Sequence, residues 1–483
     1  MNTANLVLQK IISSGLLGVS VNASTISRGE IFFALSKDQN KRIEAITKAF
    51  STGACAAVTH SDDAQKISHP AVFFAEDLKP LLKQLLTKFY LPDGVCPTLA
   101  AVTGTNGKTS TAWYLAQILQ QAGKPCACLG TTGGYVCGRS IPSRLTTPDV
   151  CEFYKFLHRA KTAGCQTVVF EYSSHALDQD RLLNPGIQLV TFTNLTPDHL
   201  DYHGTMENYF AAKRKLFTAH TLQGVENFAV INCDDNYGKT LLADTGIRRR
   251  KVSYGISPNA DFCITEHYLS PHGTNFSACW QRQHVEFQTR LLGAPNILNI
   301  SAACTNALLM GIPLMSLPTI VSQLTAVPGR FETVPNNRGL RIIIDYAHTP
   351  DALEKLLLNV RTITPGRVIC VFGCGGNRDT NKRKLMGAIA EKYSQLPIVT
   401  SDNPRDEDPE SIISQILSGM SDRTRALCIP CRRTAIQQAL HNAARGDTVV
   451  IAGKGHETTQ EIRGVFYPFS DREVVAELLE QTV

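Results

Sequence analysis

A glycine-containing loop between a strand and a helix constrains this chain more than any other segment. Leu99 to Val102 is a short apolar run typical of a buried strand, and apolar residues recur with helical spacing from about Thr109 onward. The residues that join the two elements are Gly104, Thr105, Asn106, Gly107, Lys108, Thr109 and Ser110. Glycines let successive backbone N–H groups point into one concavity, the lysine adds a point charge, and Thr109 can ligate Mg²⁺. The loop therefore predicts a site for a nucleotide polyphosphate.

The rest of the chain predicts an α/β fold. Apolar strand-like runs in the C-terminal third are 341–344, 368–372, 396–399 and 448–451. Helical patterns alternate with them at 351–362, 382–394, 409–419 and 432–444. This alternation predicts a mostly parallel sheet covered on both faces.

Turn clusters at 91–94 and 326–329 divide the chain. We predict a smaller mixed N-terminal domain over 1–95. A central P-loop ATPase-like domain with a parallel sheet would follow over 96–326, and a Rossmann-like domain would span 327–483.

Composition excludes several classes of function. The 483 residues include 48 Lys plus Arg and 42 Asp plus Glu, a formal net charge of +6, so we expect no nucleic-acid partner. No apolar run reaches the roughly 18 residues of a membrane helix, and Lys10 interrupts the first apolar stretch, which argues against a signal peptide. The 15 scattered cysteines are typical of reduced thiols. We expect a cytoplasmic protein without membrane insertion.

Polar residues cluster after two further strand-like runs, 167–170 and 189–192. Glu171 directly follows the first run. A carboxylate at the C-terminal end of a parallel strand faces the crevice where ligands bind, where it can hold Mg²⁺ against ATP oxygens. His199 and Lys213 lie in the polar segments that come after the second run.

The glycine loop departs from the general phosphate-loop pattern, because Val102 stands where a glycine is required. With valine in that position, the segment Gly-Thr-Asn-Gly-Lys-Thr resembles the ATP loop of the Mur ligases and of their relative folylpolyglutamate synthetase. Both join an amine to a carboxylate at the expense of ATP. The segments 171–181, 194–201 and 211–213 also resemble the Mur ligase central domain in order and spacing.

This resemblance implies site residues that the pattern alone does not show. Glu171 and His199 would be Mg²⁺ ligands together with Thr109. Lys213 would be carbamylated by CO₂ to N6-carboxylysine, an anionic metal ligand. Lys108, His199 and Lys213 would be the catalytic residues.

The resemblance continues on both sides of the predicted hinge near residue 327. Before the hinge, it implies that Asn296 contacts the adenine side of ATP. After the hinge, it implies that Asp345 binds the ribose and that Arg330 belongs to the same site. A dinucleotide fingerprint starting at Gly373 fails, because Arg378 stands where its third glycine is required.

The most specific segment comprises Asp402, Asn403, Pro404 and Arg405. It resembles the signature of Mur ligases that add meso-2,6-diaminopimelate to UDP-MurNAc-L-Ala-D-Glu. The distal carboxylate of diaminopimelate suits a bidentate Arg405, and lysine, which lacks that group, would leave Arg405 unpaired. The resemblance adds contacts from Arg378, Gly453 and Glu457, with Glu457 receiving the distal ammonium.

The contacts to the UDP-MurNAc-dipeptide are also implied by resemblance. Thr146 and Thr147 lie in a Thr-Thr-Pro segment that matches the family, whereas the N-terminal segment matches it least and leaves Ser24 as the uridine contact. Further contacts would come from Ser173, Gln179 and Arg181.

The function that follows is an ATP-dependent acid–D-amino-acid ligase of peptidoglycan synthesis, acting through an acyl phosphate as a monomer. A lysine-adding Mur ligase is an alternative, separated by Arg405 and its neighbours. Folylpolyglutamate synthetase is another, but its pteridine site has no evident counterpart. A catalytically silent nucleotide-binding protein is a third, opposed by the intact Lys108, Glu171, His199 and Lys213.

Overall fold

The structure is a computed structural model that describes residues 16–141, 143, 145–270 and 273–481. The chain forms two compact units, Met1–Tyr254 with Ala302–Ile312 and Gly255–Ser301 with Pro313–Val483. The three domain boundaries drawn from the sequence stay a prediction, and the signal-peptide prediction falls on residues outside the described ranges. Within those ranges, no helix combines the length and apolar character needed to cross a bilayer.

The first unit begins with a four-stranded, all-parallel sheet in the order β1-β2-β3-β4. Its elements are β1 (Gly18–Ser20), β2 (Glu30–Phe33), α1 (Gln39–Thr52), β3 (Ala56–His60), β4 (Val72–Ala75) and α2 (Leu78–Tyr90). Leucines of α2 pack into the apolar core of this unit, and a short 3₁₀ turn spans Ser61–Asp63. Arg42 of α1 pairs with the buried Asp63 at 2.8 Å, so this buried acid is compensated.

A larger sheet follows in the same unit, in the order β12-β11-β10-β5-β9-β6-β7-β8. Its strands are β5 (Thr98–Thr103), β6 (Cys126–Gly130), β7 (Gly133–Val136), β8 (Arg139–Ile141), β9 (Thr167–Glu171), β10 (Leu189–Phe192), β11 (Phe228–Asn232) and β12 (Arg250–Gly255). Strands β12 to β6 are parallel, and β7 and β8 are antiparallel. The buried apolar strands predicted at 99–102, 167–170 and 189–192 are confirmed as β5, β9 and β10.

Helices follow most of these strands. They are α3 (Lys108–Gln121), α4 (Val150–Thr162), α5 (Ser174–Asp178), α6 (Leu200–His203), α7 (Met206–Thr218) and α8 (Asn236–Ala243). Because β5, β9 and β10 are neighbouring parallel strands, their C-terminal ends meet at one edge of the sheet. The segments that leave these three strands build the first part of the candidate site.

The second unit contains a three-stranded antiparallel meander that no sequence pattern had indicated. Its strands are β13 (Phe262–Ser270), β14 (Gly273–Trp280) and β15 (Gln283–Thr289). Helices α9 (Ala294–Leu309) and α10 (Leu317–Ser322) follow, with a 3₁₀ turn at Leu314–Ser316, and α9 belongs to the first unit from Ala302 onward.

The C-terminal part of this unit is a sheet in the order β16-β17-β21-β18-β19-β20. Its elements are β16 (Glu332–Thr333), β17 (Arg341–Asp345), α11 (Pro350–Ile363), β18 (Val368–Phe372), α12 (Asn381–Tyr393), β19 (Leu396–Val399), α13 (Pro409–Leu417), a 3₁₀ turn (Arg423–Arg425), β20 (Leu427–Cys428), α14 (Arg432–Asn442) and β21 (Thr448–Ala452). The chain then forms the hairpin β22 (Thr459–Ile462) and β23 (Val465–Pro468) and the helix α15 (Asp471–Glu480).

Apolar side chains cover both faces of this sheet. Alternate strand residues form one core with α11, α12 and α13 and a second core with α14 and α15. All strands except β16 are parallel, so the predicted sheet covered on both faces is confirmed, with every predicted element within two residues of its observed bounds.

A buried ion pair joins the last two helices. Arg432 donates from Nε and Nη2 to the Asp471 carboxylate at 2.7 and 2.8 Å, and both side chains are 0 % exposed. Arg432 Nη2 also donates to the carbonyl of Ala452, at the end of β21. One residue along α14, Arg433 pairs with Glu477 across the same two helices, with both side chains about half exposed.

These two pairs give a matched test of burial. We expect Asp471→Ala to lower the free energy of unfolding by about 3–5 kcal/mol, because it leaves an uncompensated buried guanidinium. Glu477→Ala should cost no more than about 1 kcal/mol, because its partner is hydrated. Urea denaturation of both variants checks this, and equal losses would contradict it.

Candidate active site

The glycine loop follows β5 and ends at the first turn of α3. Gly104 and Gly107 have φ values of +147° and +82°, in the left-handed region that favours glycine. A Cβ on Gly104 would lie 1.9 Å from the Oγ1 of Thr193, so a side chain has no space there. Helix α3 begins directly after this loop, and the N-terminus of a helix is an arrangement that binds phosphate.

Two lysine ammonium groups converge on the loop. Lys108 donates from Nζ to the carbonyls of Gly104 and Thr105, at 3.1 and 2.8 Å. Lys213, on α7, donates to the same Gly104 oxygen at 2.8 Å and lies 4.6 Å from the ring centroid of Tyr209. Lys213 is 1 % exposed, and burial, together with the charge of Lys108, holds its pKa well below the usual value. The neutral form of this amine is therefore favoured more than in a surface lysine.

Residues that follow β10 hold the loop in place. Thr105 and Asn106 donate from their backbone N–H groups to the carbonyl and the Oδ1 of Asn194, at 2.8 and 2.9 Å. Thr193 donates from Oγ1 to the Asn106 carbonyl at 2.6 Å. The residues after β10 thus contribute to the shape of the loop.

Glu171 lies at the C-terminal end of β9 and is buried. Its carboxylate accepts from the N–H and Oγ1 of Thr131, at 2.7 and 3.1 Å. A Cβ on Gly130 would lie 2.1 Å from Glu171 Oε1, so the carboxylate fills the space beside a glycine. Thr131 Oγ1 also bonds the Oγ1 of Thr146 at 3.1 Å, which links this carboxylate to the segment predicted to bind the dipeptide.

His199 is half-exposed and has a left-handed φ of +53°. Its ring centroid lies 4.8 Å from that of His175, and its Nε2 lies 3.5 Å from Asp198 Oδ2. Partial burial lowers the pKa of His199, with help from His175 and the two loop lysines. A lowered pKa favours the neutral imidazole, the form that binds metals. Among the described residues, no three His, Cys, Asp or Glu side chains form a ready metal cluster, so the magnesium ligands stay a prediction.

The residues predicted to bind the dipeptide form one network, with one exception. Thr147 accepts from the Ser173 N–H at 3.0 Å, and its carbonyl accepts from Arg181 Nη1 at 2.8 Å. Arg181 Nη2 also donates to Gln179 Oε1 at 2.8 Å. Ser24 is exposed, and its described hydrogen bond joins it to a neighbouring residue instead.

The residues predicted to bind adenosine lie in the second unit. Asn296 is on α9, the helix whose later part, from Ala302 onward, belongs to the first unit. The Asp345 carboxylate accepts two backbone N–H groups, at 2.7 and 2.8 Å, and burial raises its pKa. The Arg330 guanidinium lies 4.6 Å from the ring centroid of Tyr346. Asn296, near the start of α9, donates from Nδ2 to a preceding carbonyl at 2.8 Å.

A buried lysine organises the predicted amino-acid pocket. Lys454 is 0 % exposed and donates to Asn403 Oδ1 and Glu457 Oε2, at 3.0 and 2.8 Å. Asn403 Nδ2 donates to the same Glu457 oxygen at 2.9 Å. A Cβ on Gly453 would lie 2.6 Å from Asp402 Oδ2, so these two predicted residues are in close approach. Sequence reasoning missed Lys454, although its place directly after a buried strand and a glycine was a signal.

Arg405 is not an isolated guanidinium. Its Nε donates to Glu461 Oε2 at 2.9 Å, and its Nη1 donates to the Gly376 carbonyl at 2.7 Å. The expectation that Arg405 lacks a partner without the ligand carboxylate is therefore wrong, because a residue of β22 supplies one. Pro404 packs against Gly376, where a Cβ would lie 1.9 Å from the proline carbonyl, and Arg378 is exposed.

Two family models match the chain, the Mur ligase middle domain over residues 102–307 and the Mur ligase, glutamate ligase domain over 329–455. A UDP-N-acetylmuramoyl-L-alanyl-D-glutamate–2,6-diaminopimelate ligase of Aquifex aeolicus (strain VF5) is 40 % identical over 465 residues, which are 96 % of this chain and 93 % of the relative. The chain belongs to the Mur ligase family. A ligase of the same description from Synechocystis sp. is 39 % identical over 96 % of this chain and 92 % of its own.

Solved Mur ligase structures share the fold. A structure of a UDP-N-acetylmuramoyl-L-alanyl-D-glutamate–2,6-diaminopimelate ligase is 34 % identical, with a TM-score of 0.69 over 97 % of this chain and 95 % of that one. MurF ligase from Thermotoga maritima in complex with ADP is 16 % identical, with a TM-score of 0.64 over 96 % and 98 % of the two chains. The family resemblance and the α/β fold class predicted from the sequence are confirmed.

The loop geometry predicts a strong effect of one methyl group. We expect Gly104→Ala to weaken ATP binding by at least about tenfold, because the new Cβ overlaps Thr193 and displaces the loop. Gly123→Ala is a control, since Gly123 also has a positive φ but its Cβ would meet no atom within 4 Å. Isothermal titration calorimetry compares the two variants, and unchanged affinity in Gly104→Ala would contradict the role of the loop.

Proposed function

We propose that this Mur ligase adds meso-2,6-diaminopimelate to UDP-MurNAc-L-Ala-D-Glu at the expense of ATP, as a monomer in the cytoplasm. The observation that carries the proposal is the packing of Asp402–Arg405 against Lys454, Glu457 and Glu461, which places cationic and anionic groups in one pocket. The names of full-length relatives at 37–40 % identity support the same substrates.

The pocket has the chemistry that the far end of diaminopimelate requires. That end carries a carboxylate and an ammonium. Arg405 keeps Nη2 without a hydrogen bond to the described chain, and Glu457 likewise keeps Oε1, because the bonds found use the other atoms of these groups. A carboxylate would pair with the guanidinium and an ammonium with Glu457. The exposed Arg378 would add a second cation.

The resemblance to the Mur ligases implies the reaction, and the positive charge around the glycine loop suits it. The D-glutamate side-chain carboxylate attacks the γ-phosphorus of ATP, forming an acyl phosphate and releasing ADP. The amine of diaminopimelate then attacks the acyl carbon, the C–O bond to phosphate breaks, and the amine loses a proton as the amide forms. Lys108 would stabilise the charge on the transferring phosphoryl group. The backbone N–H groups at the start of α3 would hold the other phosphates, since those of Thr105 and Asn106 already donate to Asn194.

The donor types near the loop fit Mg²⁺. Glu171 and Thr109 offer oxygen atoms, which this ion prefers, and Glu171 retains lone pairs beyond its bonds to Thr131. Together with His199 and a modified Lys213, these residues would hold magnesium, which supplies positive charge against the phosphate oxygens.

Lys213 has the properties that carbamylation requires. A neutral amine attacks CO₂ and loses a proton, which gives an N-carboxylate. The depressed pKa of Lys213 supplies the neutral amine, and its 1 % exposure protects the product from water. The modification would also replace an amine whose charged form is disfavoured beside Lys108 by an anion that can pair with Lys108.

Phosphate release tests the substrates. We expect turnover only when ATP, UDP-MurNAc-L-Ala-D-Glu and meso-diaminopimelate are all present. Replacing diaminopimelate by lysine should lower kcat/KM by about tenfold or more, because the distal carboxylate is lost. Equal kcat/KM values would favour a lysine-adding ligase, and turnover of a folate instead of the UDP-dipeptide would favour folylpolyglutamate synthetase.

Substitution of Lys213 tests the carbamate. We expect Lys213→Ala to lower kcat by at least about a hundredfold, and Lys213→Arg not to restore it, because a guanidinium does not form this carbamate. Lys215→Ala, on the same helix but exposed and paired with Asp178, is the control that should keep activity. A carbamate signal in NMR with labelled bicarbonate is the direct measurement, and a fully active Lys213→Arg would contradict the role.

A further inference from the structure

Glu461, on the first strand of the C-terminal hairpin, holds the side chain of Arg405. We propose that Glu461 is a positioning residue for amino-acid selection, which orients the Arg405 guanidinium so that its remaining donors meet the distal carboxylate of the incoming amino acid. This inference rests on the function proposed above. No sequence pattern pointed to Glu461.

The backbone of β22 fixes the main chain of Arg405. Arg405 donates from N–H to the Glu461 carbonyl at 3.1 Å, and its own carbonyl accepts from the Arg463 N–H at 2.8 Å. Arg405 has a left-handed φ of +52°, a conformation that a non-glycine residue keeps only where its surroundings hold it. The Glu461 N–H also donates to Asn403 Oδ1 at 3.0 Å, so one strand positions two residues of the pocket.

The side-chain contacts then fix the direction of the guanidinium. Glu461 Oε2 takes the Nε donor at 2.9 Å, and the Gly376 carbonyl takes an Nη1 donor at 2.7 Å. With two points fixed on a planar group, the position of Nη2 is determined. The described chain gives Nη2 no hydrogen-bond partner, so this nitrogen is the place for a ligand oxygen.

Two effects of Glu461 oppose each other. An anchored arginine has already lost rotamer freedom that it would otherwise lose on binding, which favours the ligand. The negative charge of Glu461 disfavours a second carboxylate, but Arg405 and Glu461 are 21 % and 25 % exposed, so water weakens this repulsion. We infer that anchoring prevails.

Two substitutions separate these effects. We expect Glu461→Ala to raise the KM for diaminopimelate about tenfold, with the KM for ATP unchanged, because Arg405 loses its anchor. Glu461→Gln should stay within about twofold of wild type, because the amide oxygen still accepts from Nε while the charge is gone. A lower KM for diaminopimelate in both variants would show that Glu461 acts as a competing charge and would overturn the proposal.

A double-mutant cycle adds a readout that general loss of structure would not give. In an Arg405→Ala background, Glu461→Ala should cause no further rise in the KM for diaminopimelate. The KM for lysine, which lacks the distal carboxylate, should not respond to Glu461→Ala. Additive effects in the cycle, or an equal rise for lysine, would overturn the proposal.

Controls keep the outcomes distinct. Glu477→Ala removes another glutamate–arginine pair from the same unit, one whose two side chains are about half exposed, and should leave both KM values unchanged. Thermal unfolding of each variant reports folding. Absence of wild-type turnover with diaminopimelate would reject the proposed function, whereas normal wild-type turnover with a silent Glu461→Ala would reject only the role of Glu461.

Discussion

The carbonyl oxygen of Gly104 accepts hydrogen bonds from two lysines, and the first unit depends on that arrangement. Two ammonium groups this close repel one another, and one of them is almost completely buried. The strand-end segments after β5, β9 and β10 nonetheless hold both at the loop. A phosphate group at the loop would compensate this repulsion. Burial and the charge of Lys108 also lower the pKa of Lys213, which favours its neutral amine.

The sequence predicted the elements that local pattern determines. The buried strands around the glycine loop and the alternating elements after residue 341 follow from runs of apolar residues, which are read without knowing their partners. The meander β13–β15 was missed because none of its strands is a continuous apolar run. Buried residues alternate with more exposed ones in β14 and β15, and most of the C-terminal half of β13 is exposed.

Prediction of the site residues was limited by contacts between residues that are distant in the sequence. The motif Asp402–Arg405 was recognisable because its residues are contiguous. Lys454 and Glu461 were not, because each acts through a partner about fifty residues away, and such pairs form only when two loops pack together. Glu461 in particular reads in the sequence as an ordinary solvated charge on a short strand. The roles of all the predicted site residues stay predictions, since contacts within the chain do not identify a ligand.

The buried guanidinium of Arg432 has a consequence for the end of the chain. It donates to Ala452, whose next neighbours are Gly453 and Lys454, and its counter-ion is the first residue of the last helix. Helix α15 therefore supplies the counter-ion of a guanidinium that bonds the chain directly before Gly453, a residue predicted to contact the amino acid. Proteolytic removal of the chain from residue 471 onward would leave the buried guanidinium of Arg432 without its counter-ion, next to the residues predicted to bind the amino acid.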